Sequence, residues 1–199
     1  MHRQPLLQLL NAYEPCDDNE ASLKRKMINF ITAHKDCFER TCREGHITAS
    51  AWIINFTGDR FLMTLHKKLK LWLPLGGHSD GDCDIHHTTL KEAQEESGLK
   101  SLTFVSKDIF DICITDYNVP TEPFHQHYDF NFLLQIQNPN DKIKTSNESI
   151  DLQWFKELPE SIRTIGNLNR LYLKWKRWME TKAKNKETLE QETILKTVK

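Results

Sequence analysis

The chain has 199 residues, with 27 Lys+Arg against 28 Asp+Glu and a formal net charge of −1. That balance offers no field for attraction to a nucleic-acid polymer or a membrane surface, and the length suffices for one substantial core with appendages. The cysteines (Cys16, Cys37, Cys42, Cys83 and Cys113) are odd in number and form no CxxC pair, which predicts reduced thiols in a cytoplasmic protein rather than a disulfide framework.

The apolar run after Arg3 is interrupted by Pro5, Gln8 and Asn11, too short and polar for a signal peptide. No run approaches the roughly 18 consecutive apolar residues of a membrane helix. Residues 1–45 read as a helical extension. Leu6, Leu7, Leu9 and Leu10 lead to Tyr13, and Pro15 with DDNE marks a turn and a new helix start. Leu23, Met27, Phe30 and Ile31 then recur at spacings of three and four, one helical face.

Residues 47–56 and 60–67 are rich in β-branched and aromatic residues and flank Thr57-Gly58-Asp59, which predicts a hairpin. A loop with three glycines and Pro74 leads into a helix from about Ile85 to Ser97, with Asp84 as its N-cap and Gly98 as its stop. Strand-like runs return at 102–107, 109–119, 125–137 and 150–155, with a polar loop over 138–149. A helix from about Leu168 carries Leu171, Tyr172, Trp175 and Met179 on one face, and residues 181–199 read as a charged, solvated tail. The order predicts an α/β layered domain over residues 46–180.

Chemistry concentrates on the central helix, in Lys91-Glu92-Ala93-Gln94-Glu95-Glu96-Ser97-Gly98-Leu99. At about 100° per residue, Glu92, Glu95 and Glu96 fall at about 0°, 300° and 40°, so the three carboxylates share one face. Like charges at i,i+3 and i,i+4 repel, and a hard divalent cation removes that conflict. Mg²⁺ and Mn²⁺ prefer carboxylate oxygen and bridge to substrate phosphates. A solvated acidic face is the plain alternative for such a pattern taken alone.

From Gly77 onward the sequence resembles the Nudix box, G-x5-E-x7-R-E-U-x-E-E-x-G-U, with U aliphatic. Gly77, Glu92, Ala93, Glu95, Glu96, Gly98 and Leu99 match, seven of the nine defined positions. Cys83 stands where the first Glu belongs, and Lys91 replaces Arg, keeping the charge without the planar fork. Asp82 and Asp84 flank Cys83, so a one-residue adjustment of the loop would restore a carboxylate there. GHITASAWIIN, HKKLKLWLPLGGHSDGD, HQHYDFNFLL and NESIDLQWF extend the resemblance over most of residues 1–160, to a bacterial-type subgroup with an N-terminal helical extension.

The resemblance implies a Nudix-type α/β/α sandwich with a mixed β-sheet. It implies hydrolysis of a pyrophosphate bond in a nucleoside diphosphate linked to another moiety, with Mg²⁺ or Mn²⁺ as cofactor. Glu95 and Glu96, with the Gly77 carbonyl, would hold the metal; Glu92 would join them or orient the attacking water, with Lys91 beside it. The substrate is expected to be a small nucleotide or nucleotide-sugar type of molecule, and the helical extension suits a lid or a homodimer contact. The altered Cys83 and Lys91 positions favour the competing reading, a Nudix-fold nucleotide-binding or regulatory module.

His125, His127 and Asp129 alternate along one strand and so face the same side. They belong to the substrate site or a second metal, or else to a polar, solvent-facing sheet edge with Tyr128, Phe130 and Phe132 toward the core. Glu148 lies in a loop where some relatives place an extra catalytic Glu. Lys67, Lys68 and Lys70 offer charge to phosphates, and Phe124 and Tyr128 offer faces to a base. A zinc set of His78, Cys83, His86 and His87 is disfavoured, because no second Cys/His pair matches its spacing. Cys83 as a nucleophile, as in the isopentenyl diphosphate isomerases of the same fold, is disfavoured too.

Overall fold

The computed structural model describes residues 2–118 and 123–197; Val119, the last residue of the expected strand run 109–119, and the tail residues 198–199 lie outside them. Two compact units divide the chain, Met1–Lys156 and Glu157–Lys199.

In the first unit, helix α1 (Gln4–Ala12) carries proline in its first turn, where the missing N–H costs nothing. Helix α2 (Asp18–Ala33) is capped by Asp17, whose Oδ1 accepts the Glu20 amide at 2.8 Å. Glu20 is buried, and its Oε2 accepts the Tyr13 hydroxyl at 2.8 Å and the Cys16 amide at 2.9 Å, tying the turn between the helices. Residues 34–44, expected to be helical, run instead as turns. Their carbonyls serve other partners: Cys37 accepts the Ile47 amide at 2.7 Å and Phe38 accepts the Gly81 amide at 2.9 Å.

The sheet strands are β1 (Gly45–Ile54), β2 (Phe61–His66), β3 (Trp72–Leu73), β4 (Leu75–His78), β5 (Leu102–Phe104), β6 (Asp111–Tyr117), β7 (His125–Ile136) and β8 (Ser149–Phe155), with helix α3 (Ile85–Ser97) between β4 and β5. They form one mixed sheet with the spine β3-β2-β1-β7-β5, where β4 adds beside β1, β6 beside β7 and β8 beside β2. The expected hairpin is present, with Ile53 opposite Leu62 and Ile54 opposite Phe61. Strands β1 and β7 are parallel, in register from Gly45–Gln126 to Ile54–Gln135.

The glycine-bearing segment before α3, expected as a loop, holds β3 and β4. Strand β4 runs antiparallel to β1, with Ala49 opposite Gly77 and Thr48 opposite His78. A Cβ on Gly76 would stand 2.3 Å from the Ala49 carbonyl oxygen and 2.6 Å from the Ser50 Cα. The strand exists because its partner's backbone approaches so closely, a property that side-chain alternation does not display.

Alternation gives the sheet two distinct faces. Ile47, Ala49, Ala51 and Ile53 of β1 and Phe130, Phe132 and Leu134 of β7 join Met27, Phe30 and Ile31 of α2 and Ile85 and Ala93 of α3 in one core. Phe30 stacks on Tyr128 with ring centroids 3.7 Å apart, so α2 is fastened to the middle of the sheet. The N-terminal helices therefore share the sheet's core. The opposite face carries His46, Thr48 and Ser50 beside His127, Asp129 and Asn131.

In the second unit, a 3₁₀ turn (Glu160–Ile162) precedes helix α4 (Gly166–Thr197), which starts close to the expected Leu168 and extends through the charged segment beyond Lys182. Glu157 pairs with Lys176 at 3.2 Å and accepts the Tyr172 hydroxyl. No helix among the described residues is long and apolar enough to cross a membrane.

Candidate functional site

Helix α3 begins and ends as its sequence dictates. Asp84 Oδ1 accepts the His86 and His87 amides at 3.1 and 3.2 Å, and Gly98 closes the helix at φ 70°, donating to the Gln94 carbonyl at 2.8 Å. With Ile85 and Ala93 in the core, the helix is rotated so that Glu96 is buried, Glu92 is half-buried and Glu95 is exposed.

Glu96 is 7% exposed, and its Oε2 accepts the Gly76 amide at 2.9 Å. Burial pushes its carboxyl up to about 7; the Gly76 hydrogen bond opposes this, and the charges of Glu148 and Glu92 reinforce it. Burial also raises Glu92, against the neighbouring Lys91 ammonium at 3.3 Å and with help from Glu95 and Asp80. A Cβ on Gly77 would come 2.4 Å from Glu92 Oε2. Glycine at this position is what lets the Glu92 carboxylate lie against β4. Lys91 is held protonated by the same contact with Glu92.

The structure thus gathers Gly77, Lys91, Glu92 and Glu96 at the seam of α3 and β4, with Glu95 exposed beside them. Glu148, 52 positions along the chain from Glu96, is close enough for its charge to act on that carboxyl. The Glu148 carbonyl accepts the Lys67 amide at 2.9 Å, which anchors the loop before β8. The carboxylates near Cys83 do not join them. Asp82 binds the His87 ring and accepts the Asp84 amide at 2.9 Å, while Asp84 is spent on the helix cap. Cys83 is exposed.

His125, His127 and Asp129 share a face, as their spacing predicts, but that face is no sheet edge. Strand β7 lies between β1 and the pair β5 and β6. Asp129 accepts the Thr48 hydroxyl at 2.8 Å and the Ser50 hydroxyl at 2.9 Å, and burial pushes its carboxyl up to about 6. His46 and His78 stand beside His127, with His78 Nε2 3.3 Å from His127 Nε2 and the His46 ring centroid 4.9 Å from that of His127. Sequence reasoning missed His46, Thr48 and Ser50. Their signal was the polar residue at every second position of an otherwise apolar strand. His78 was considered only with Cys83, His86 and His87, which the structure places elsewhere: His86 Nε2 contacts the Lys107 carbonyl at 2.8 Å, and His87 binds Asp82.

Strand β4 connects the two groups of side chains. Gly77 faces α3, and one residue on, His78 faces the opposite side of the sheet. Lys67, Lys68 and Lys70 are exposed, as is Phe124, whereas Tyr128 is committed to its stack on Phe30.

An Ap4A hydrolase of C. elegans, solved as a binary complex, matches at 21% identity with a TM-score of 0.54, covering 68% of this chain and 98% of that one. A second structure of the C. elegans Ap4A hydrolase matches at 21% identity and TM-score 0.51, covering 67% of this chain and 97% of its own. The chain has the Nudix-type fold. A hydrolase of the NUDIX family from Clostridium perfringens is also matched, at 25% identity and TM-score 0.46 over 67% of this chain and 95% of its own. No family model matches the sequence, and no curated protein does. In this Nudix-type fold, the box-like segment from Gly77 to Leu99 spans the end of β4, a short loop and α3.

Proposed function

We propose that the chain is a divalent-metal-dependent hydrolase that cleaves a pyrophosphate bond in a nucleoside diphosphate linked to another moiety. The observation that carries this reading is the seam of α3 and β4, where Glu96 is bonded to the Gly76 amide and Glu92 lies against Gly77. Three helix carboxylates and Glu148 influence one another there, with Lys91 as the cation paired to Glu92. Negative charge gathered so closely, with Glu96 buried, suits a hard cation, and the donors are all oxygen, which fits Mg²⁺ or Mn²⁺. Glu95 and Glu96, with the Gly77 carbonyl, would hold it.

A bound cation supplies charge neutralisation at the pyrophosphate and acidifies a coordinated water. The chain's own groups do the rest. Glu92, raised by burial, is the group that orients the attacking water and accepts its proton. Lys91 keeps the Glu92 carboxylate fixed in direction. Glu148 approaches from a separate loop and is a second candidate for the same proton. The face carrying Asp129, Thr48, Ser50 and Asn131 offers hydrogen-bonding groups for a nucleotide, and His125 and His127 border it.

The test is a panel of nucleoside triphosphates, ADP-ribose, nucleotide sugars, NADH and dinucleoside polyphosphates such as Ap4A, each with Mg²⁺ or Mn²⁺, assayed for phosphoanhydride cleavage. Turnover of at least one compound, abolished by EDTA, is the expected result. Ligand-induced thermal stabilisation without turnover of any would mean a nucleotide-binding module instead.

A further inference from the structure

We propose that His46, His78, His125 and His127 form a binding site for one divalent transition-metal ion of the zinc class, separate from the carboxylate seam. The four residues come from three strands: His46 from β1, His78 from the end of β4, and His125 and His127 from the start of β7. One ring nitrogen from each of His46, His125 and His127 lies within 4.8 Å of the others. His127 Nε2 is 3.0 Å from His125 Nε2 and 3.3 Å from His78 Nε2.

These separations have a specific meaning. Zn–N bonds of about 2.0–2.1 Å in tetrahedral geometry put neighbouring nitrogens about 3.3 Å apart. Hydrogen bonding explains the cluster less well. The Nε2 of an imidazole points either one proton or one lone pair along one direction, so His127 Nε2 cannot make two good bonds with two converging partners. Three imidazoles, each with a ring nitrogen within 4.8 Å of the other two, are an arrangement that a cation can bridge.

The surroundings prepare the rings as ligands. His125 Nδ1 is 2.8 Å from the Pro123 carbonyl, to which it donates, leaving its Nε2 as a lone pair directed at the cluster. Arg40, the nearby cation, is engaged by Asp80 at 2.8 Å. The Tyr117 ring packs beside two of the histidines, its centroid 5.0 Å from His125 and 4.8 Å from His127. An all-imidazole donor set selects zinc-class ions over Mg²⁺, the reverse of the carboxylate seam. His46, His125 and His127 supply three ligands, and with His78 drawn in through its approach to His127 as the fourth, the ion would staple β1, β4 and β7 rather than activate water.

The experiment uses tag-free full-length protein, stripped of metal and titrated with Co²⁺ and Zn²⁺. The expected result is one equivalent of Co²⁺ per chain, with the visible absorption of a tetrahedral site, displaced by Zn²⁺ and unaffected by excess Mg²⁺. Zn²⁺ should also raise the melting temperature. His127→Ala and the more peripheral His125→Ala should each lose the cobalt band while circular dichroism shows an intact fold; Glu95→Gln should keep it. Absence of stoichiometric Co²⁺ and Zn²⁺ binding by the wild type overturns the proposal. So does a cobalt band that survives in folded His125→Ala, and so does its loss in Glu95→Gln. Failure of the hydrolase reading would leave these outcomes unchanged.

Discussion

The Glu96 carboxylate and the Gly76 amide are joined by a 2.9 Å hydrogen bond that pins the acidic helix to the strand in front of it. Glu95, one residue earlier, is exposed and free of that duty. The two therefore separate stability from activity. Glu95→Gln should change stability by no more than about 0.5 kcal/mol yet lower turnover about 10²–10⁴-fold. Glu96→Gln should lose activity too, and thermal melts will show whether its amide still accepts from Gly76. Wild-type turnover in both variants would place the metal elsewhere.

Gly76 and Gly77 should respond differently to the same substitution. At Gly77 an added Cβ meets the end of the flexible Glu92 side chain, 2.4 Å from Oε2. Gly77→Ala should fold and lose activity, because the Glu92 carboxylate must move. At Gly76 the Cβ meets the backbone of Ala49 and Ser50, at 2.3 and 2.6 Å. Gly76→Ala should destabilise by about 1–3 kcal/mol, read as a shift of the denaturation midpoint.

His87 should titrate above its usual 6.5, because Asp82 accepts a hydrogen bond from its ring. A raised value means that folding favours the imidazolium. That contribution is complete below 6.5 and disappears as pH rises through the folded value. In Asp82→Asn the His87 resonances should titrate at lower pH, a change visible by NMR.

The stack of Phe30 on Tyr128 makes the N-terminal helices part of the core. Phe30→Ala should therefore cost about 3–5 kcal/mol, measured by urea denaturation. A loss below about 1 kcal/mol would mean that α2 is dispensable to the sheet.

Thiol reactivity should divide the cysteines. Burial pushes Cys37 up to about 12 and also raises Cys42, whereas Cys16 and Cys83 are exposed. Iodoacetamide at pH 8 should label Cys16 and Cys83 in the native protein and reach Cys37 only after unfolding, as mass spectrometry of the digested chain will show.

What was legible in the sequence was local. Asp84 and Gly98 bracket α3 at the residues where the structure starts and stops it, and the spacing of its glutamates puts them on one side. The β1–β2 hairpin announces itself through its turn. Strand β4 does not, because its signature is the room that Gly76 and Gly77 leave for Ala49, Ser50 and Glu92. The histidines were each visible, but their convergence was not. It depends on the parallel register of β1 with β7, which no periodicity in either segment encodes.

That register also sets an order of events. The Thr48 hydroxyl finds Asp129 across 81 positions of chain, and strand β1 has no parallel neighbour until β7 exists. Contacts at such separation close late, because a long loop must be ordered before they form. On the ribosome, the GHITASAW segment must wait, an apolar strand with one side unpaired, until more than 80 further residues have been made. Helices α1 and α2 are synthesised before it and share its core. The apolar face of that strand therefore has a partner before β7 is made, whereas its backbone edge toward β7 does not.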